Sequence, residues 1–375
     1  MSSIAPTAVY LDRMARARSA MAAAGVQLLL LSVGSDLPYL TGYEAMPLER
    51  LTMLLVPANG EATMVIPRLE APRVVEQPGV FGLHRWDETE DPVAIVAALA
   101  GRAAPATVAV GDTMWARFLV DLLKRWPTAA TSYVRSNTVM SELRIRKDEA
   151  EVSSLAAAGK AADRVAAQLH AGEIALVGRT EAAVSADIGV RLVAEGHDVV
   201  NFAIVAAGEN AASPHHHASD RVIRRGEVVL CDFGGTMNGY CSDITRCVSL
   251  GEPPQEVAEA YAVLRAAQAA GVAAGVVGAA CQDVDRASRR VIDEAGYGEY
   301  FVHRTGHGIG MEAHEDPYMV EGNTLAIAAG HAFSVEPGIY VGGRWGMRLE
   351  DIVVATADGP LSLNHADHAL VVLDC

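Results

Sequence analysis

Residues 303–315 read HRTGHGIGMEAHE and set His303, His307 and His314 among Gly306, Gly308 and Gly310. That mixture suits a site more than a packed core. Two carboxylate-bearing segments make sense only beside it. Upstream, Asp232 and Asp243 bracket DFGGTMNGYCSD; downstream, Glu336 lies in SVEPG and Glu350 in MRLED. Asp, Asp, His, Glu and Glu together form an oxygen-rich coordination set.

Each acid sits where an unpaired charge is costly. Asp232 ends the apolar run Val228 to Cys231, and Asp243 follows after Gly234-Gly235 and Asn238-Gly239, so a hairpin brings the two carboxylates face to face. Without a cation such a pair repels, and one member stays protonated. Glu336 follows Ala332 to Val335 and Glu350 precedes Ile352 to Val354, both strand-like. A lone buried Glu is rare, and shared burial on a metal is the economical explanation. His307, between glycines, stands where a backbone can approach an ion closely. Arg348, two residues before Glu350, shares its strand face and can neutralise the carboxylates or hold a substrate carboxylate in its fork.

At 375 residues the chain is long for one core, so two domains are expected. A net charge of −16 argues against a nucleic-acid partner, because phosphate binding needs clustered Lys and Arg. The five cysteines form no CxxC, which fits reduced thiols in a cytoplasm. No signal peptide is visible, and the apolar stretch Ala269 to Cys281 is too short to span a bilayer. The expectation is a soluble cytoplasmic protein with no membrane partner.

Along the chain, Tyr10 to Ala24 carries Leu11, Met14, Ala15, Met21 and Ala22 at helical spacing, with Arg13 and Arg16 on the other face and Arg18 as a misfit that must snorkel. A strand follows at Val26 to Val33, then Leu37 to Tyr43, which resembles the turn after the first strand in a known family's N-terminal domain, and a hairpin from Leu51 to Val56 and Ala62 to Ile66. A helix at Pro92 to Ala100, a strand at Thr107 to Val110 and a helix at Trp115 to Trp126 complete a small α/β domain. Tyr39, His84 and Trp86 read as structural or surface residues. The polar, basic stretch Ser136 to Lys147 reads as a boundary, giving domains at 1–140 and 141–375. Helices at Glu149 to His170 and Thr180 to Glu195 precede the first carboxylate block, and helices at Gln255 to Ala270 and Asp283 to Ala295 precede the histidine block. That order suits a duplicated half around a central cleft.

These residues resemble the pita-bread metallopeptidases, the group containing methionine aminopeptidase, aminopeptidase P, prolidase and creatinase. The resemblance covers essentially the whole chain, most tightly from Ser213 to Asp351, and the N-terminal third is similar to the prolidase and aminopeptidase P branch. It implies an α+β protein: a creatinase-like N-terminal α/β domain followed by a pita-bread catalytic domain, a duplicated α/β unit with a curved antiparallel sheet. It also implies two divalent metal ions, with Asp232 a terminal ligand of one, Asp243 and Glu350 bridging, and His307 with Glu336 completing the second. Manganese is favoured over cobalt, iron or zinc.

By the same resemblance His215 closes over the substrate, His303 lines the leaving-group side, His314 donates to the peptide oxygen, Glu336 carries the proton, and Tyr340 and Arg348 complete the catalytic set. His216 and His217 read as loop residues, although a run of three histidines is also open to loose metal binding. The implied reaction is cleavage between an N-terminal residue and a following proline, by a homodimer acting on small peptides. The compact N-terminal domain is similar to those of prolidases and predicts Xaa-Pro dipeptides as better substrates than Xaa-Pro-Yaa peptides. The rivals are an Xaa-Pro aminopeptidase, a creatinase-type hydrolase without metal, and a pita-bread binding module. The five filled ligand positions argue against the last two.

Overall fold

The computed structural model describes residues 7–101 and 103–374. The chain forms two compact units, Met1–Arg144 and Ile145–Cys375.

The first unit runs α1 (Thr7–Ala23), β1 (Leu28–Leu31), α2 (Asp36–Thr41), β2 (Met53–Pro57), β3 (Ala62–Pro67), β4 (Phe81–Trp86), α3 (Pro92–Leu99), β5 (Thr107–Val110), α4 (Ala116–Arg125), β6 (Ser132–Arg135) and α5 (Asn137–Arg144). Its six strands form one mixed sheet in the order β4-β3-β2-β1-β5-β6. Leu28, Leu30, Met53, Leu55 and Val108 share a core with Val93, Val96, Phe118 and Leu122 of α3 and α4, the period-2 and period-3.6 patterns meeting as expected.

Several expectations for this unit need correction. The buried face of α1 is Tyr10, Arg13, Met14, Ala17 and Met21, whereas Leu11, Ala15 and Ala22 are exposed. Arg13 is buried because its guanidinium lies 4.0 Å over the Tyr39 ring and Nη1 donates to the Tyr39 carbonyl at 3.1 Å. The expected turn at Leu37 to Tyr43 is largely helical, as part of α2. Strands β4 and β6 were not anticipated.

The second unit contains α6 (Glu149–His170), α7 (Glu181–Ala194), β7 (Val199–Ala207), β8 (Val228–Met237), β9 (Tyr240–Cys241) and β10 (Ile244–Leu250). It continues with α8 (Gln255–Ala274), α9 (Cys281–Glu294), β11 (Gly306–Gly308), β12 (Glu315–Met319), β13 (Ala332–Val335), β14 (Gly338–Val341), β15 (Trp345–Arg348), β16 (Asp351–Thr356), β17 (Gly359–Ser362) and β18 (Val371–Leu373). Two helices followed by strands thus occur twice. The helix starts are chemically marked: Asp148 and Glu151 form a reciprocal capping box at α6, and Thr180 caps α7.

One sheet has the order β18-β10-β8-β7 with β9 on β8, another β12-β11-β13-β16-β17, and β14 pairs with β15. Pairing is antiparallel throughout this unit except between β10 and β18. Among the described residues the two larger sheets meet at the bridge from Thr245 of β10 to Glu350, and the site lies around that bridge.

Candidate active site

Register places the first two carboxylates. Thr245 pairs with Asp232 and Ile244 with Phe233, so Asp243, Thr245 and Asp232 project from one face of the β8–β10 pair. The aspartates are diagonal neighbours on that face, not directly opposed as the simple hairpin predicts. Gly234 and Gly235 stay within β8. The turn itself is Asn238 (φ 51°) and Gly239 (φ 82°), the paired positive φ angles of a tight two-residue hairpin.

On the other side, His307 of β11 and Glu336 just after β13 are held by strand pairing: Gly308 pairs with Phe333, and Glu336 N–H donates to the Thr305 carbonyl at 2.8 Å. The flanking glycines serve this strand packing. A Cβ on Gly306 would lie 1.9 Å from the Ser334 carbonyl oxygen, and one on Gly308 2.3 Å from that of Asp316.

The five expected ligand positions converge. Asp232, Asp243 and Glu350 bring carboxylate oxygens within 4.8 Å of one another, as do the ligand atoms of His307, Glu336 and Glu350. His307 Nε2 is 3.2 Å from Glu336 Oε1 and 3.8 Å from Asp243 Oδ2. His307 Nδ1 faces the Gly308 carbonyl at 3.1 Å, which assigns it the proton and leaves the Nε2 lone pair aimed at two carboxylates. Lone pair against carboxylate is repulsive unless a proton or cation lies between.

The acids carry the same signature. Asp232 Oδ1, Asp243 Oδ1 and Glu350 Oε1 are buried with no hydrogen-bond partner, a costly state for carboxylates. Burial first, then Glu350, Asp232 and Glu336, drive the Asp243 pKa well above the ordinary range; burial, Glu336 and Asp232 do the same for Glu350. For Glu336, burial pushes upward and the Arg348 guanidinium, 4.0 Å away, opposes it. The donor set of four carboxylates and one neutral imidazole fits divalent cations.

Arg348 is spoken for. It is 2% exposed, its Nη2 donates to Asp232 Oδ2, and it also donates to Tyr340 Oη at 2.7 Å, Thr245 Oγ1 at 3.2 Å and the Pro214 carbonyl at 3.2 Å. Of its two expected roles, neutralising the carboxylates matches this geometry. Tyr340 accepts from Arg348 and therefore donates to His303 Nε2 at 2.9 Å, while His303 Nδ1 donates to the Arg304 carbonyl at 2.7 Å. His303 is thereby a neutral, fixed ring.

His215, His303 and His314 all line one cavity of about 630 Å³ together with the five candidate ligands and Arg348. Tyr340, behind Arg348, is 5% exposed and does not line it. The ring of His314 is 3.8 Å from that of His307, and desolvation with the neighbouring His307 lowers its pKa to about 4. His216 turns away and bonds Glu181 at 2.8 Å.

Sequence reasoning missed three residues. Thr245 Oγ1 donates to Glu350 Oε2 at 2.7 Å, and Ser334 Oγ donates to Glu336 Oε1 at 3.0 Å while accepting from His307 N–H. Both stand two residues from a ligand position on a strand, so the period-2 rule could have found them. Arg304 lines the cavity over the Tyr318 ring at 4.4 Å and has no carboxylate partner among the described residues. No periodicity marks it.

Residues 153–357 match metallopeptidase family M24, and residues 13–146 match the creatinase/prolidase N-terminal domain. Over 372 residues the chain is 46% identical to the probable dipeptidase PepE of Mycobacterium tuberculosis, with 97% of each covered. The structure of dipeptidase PepE from Mycobacterium ulcerans superposes with a TM-score of 0.92 at 46% identity, covering 98% of this chain and 99% of that one. The prolidase from Thermococcus sibiricus gives 0.90 at 35% identity, covering 97% and 99%. The chain belongs to metallopeptidase family M24, with a creatinase-type N-terminal domain and a pita-bread catalytic domain. It is a metallopeptidase of the dipeptidase and prolidase kind, and divalent metal ions are implied by that membership.

Proposed function

We propose that this protein hydrolyses the bond between an N-terminal residue and a following proline, with two divalent ions, manganese by preference, held by Asp232, Asp243, His307, Glu336 and Glu350. The observation that carries the metal site is the set of three buried, unpartnered carboxylate oxygens on Asp232, Asp243 and Glu350. Cations there relieve the repulsion, and His307 Nε2 has its lone pair ready. When bound, such ions polarise the scissile carbonyl and activate water at neutral pH.

The chain's own groups do the rest. Glu336, held by Ser334, takes the proton from the attacking water and returns it to the leaving nitrogen. His314, on the cavity wall, donates a hydrogen bond to the developing oxyanion, and His215 closes over the substrate. His303, fixed by Tyr340, lines the leaving-group side.

A dipeptide's proline ends in a free carboxylate, which needs a cation. Arg348 is occupied by Asp232, so we assign that role to Arg304, the cavity-lining arginine whose charge no described carboxylate meets. The relatives named PepE and prolidase support the dipeptidase reading. Comparing kcat/KM on Ala-Pro and Ala-Pro-Ala tests it. The dipeptide should be favoured, and Arg304→Gln should raise KM for Ala-Pro more than for Ala-Pro-Ala. A tenfold preference for the tripeptide, about 1.4 kcal/mol in transition-state binding, would make the protein an aminopeptidase instead.

A further inference from the structure

Glu181, in the first turn of α7, is 0% exposed and takes no part in the chemistry above. A single stretch of chain saturates its carboxylate. Oε1 accepts from Ala207 N at 2.9 Å and Asn210 Nδ2 at 3.1 Å; Oε2 accepts from Asn210 Nδ2 at 3.1 Å, His216 Nε2 at 2.8 Å, Ser219 N at 3.2 Å and Ser219 Oγ at 2.6 Å. Burial pushes its pKa up, yet these donors outweigh burial and the net shift is downward, so the group is an ionised clamp.

The clamped segment, residues 207–219, carries Pro214 and His215 into the cavity wall. His215 itself is exposed. Behind the segment lies Glu181; in front, Arg348 donates to the Pro214 carbonyl. We propose that Glu181 is a positioning residue whose carboxylate holds the 207–219 segment in the shape that presents His215 to the substrate. This deepens the peptidase reading and rests on it.

A carboxylate is required for a geometric reason. The two backbone donors, Ala207 N–H and Ser219 N–H, meet different oxygens. Neither can turn into an acceptor, so a glutamine must face one of them with its own NH₂ group, leaving a buried donor unpaired.

The test is a double-mutant cycle on the metal-loaded full-length protein with Ala-Pro, joined to hydrogen exchange of residues 207–219. Glu181→Gln should keep its metal content, exchange faster in that segment, and raise KM by about tenfold, since misplacing a substrate-facing group acts through positioning. Added to His215→Ala, it should cost no further activity, because the group it positions is already gone. Independent, multiplicative losses in the double variant, or unchanged exchange in the segment, would overturn the proposal. If Glu181→Gln does not fold, Ser219→Ala and His216→Ala each remove one side-chain donor, and the same non-additivity with His215→Ala must hold. A wild-type protein without turnover on Ala-Pro would sink the substrate reading alone; the exchange rates would still decide the clamp.

Discussion

His307, His314 and Asp243 bring ligand atoms within 4.8 Å of one another, so proximity alone does not separate metal ligands from substrate-facing groups. Burial does: Asp243 and His307 are each 3% exposed, whereas His314 is exposed. Asp243→Asn and Glu350→Gln should therefore lose metal and activity together. His314→Ala should keep its metal and lose about 100-fold in kcat, the roughly 3 kcal/mol of one oxyanion donor. Metal analysis beside kcat on the purified variants checks this, and an empty site in His314→Ala would make that histidine a ligand. The convergence of Asp232, Asp243, Glu336 and Glu350 was legible in the sequence because each acid abuts an apolar strand, where an unpaired charge needs a reason. Arg304 was not, since its significance is the carboxylate partner it lacks among the described residues, and only the folded arrangement reveals that Arg348 is used up by Asp232.

Strand β11 is three residues long, yet it fixes His307 through the two glycines that flank it. Gly306→Ala would drive a methyl into the Ser334 carbonyl, 1.9 Å away. The expected cost is about 3 kcal/mol, the upper range for forced overpacking, read as a lowered urea midpoint together with weakened metal binding as β11 parts from β13. Unchanged stability would mean that β11 can shift freely. Elements with chemical punctuation were the legible ones: α6 begins at the Asp148–Glu151 box and α7 after Thr180. The buried face of α1 was misread because Arg13, charged and assigned to solvent, is paid for by the Tyr39 ring and carbonyl. Strands β4 and β6 pair in parallel at the two edges of their sheet with no hairpin turn beside them to announce them.

Acid should destabilise the whole molecule through histidines folded in the neutral state. His331, 2% exposed, accepts the Ala328 N–H on Nδ1 at 3.3 Å, so protonation breaks that bond. Burial first, then Arg146 and Lys147, lower its pKa from 6.5 to about 4. Between those values the unfolded chain binds a proton that the folded chain refuses, so this contribution is complete above pH 6.5 and is lost as pH falls towards 4. Replacing it as His331→Asn keeps an acceptor and should flatten the fall in unfolding free energy across that window by up to one proton, about 1.4 kcal/mol per pH unit. Urea unfolding of the metal-free proteins at several pH values measures it, and identical slopes would mean that His331 titrates normally. At this scale the two-helices-then-strands order was visible in the sequence. The junction was not, because Thr245 meets Glu350 across 105 residues through one bridge and one side-chain bond. That junction gathers the carboxylates, and the central claim about them is that they hold metal. Elemental analysis of the purified wild-type protein, in parallel with turnover before and after chelation, tests it most directly. Two divalent ions per chain, with activity abolished by chelation and restored by manganese, is the predicted result; full turnover by protein carrying no metal would contradict it.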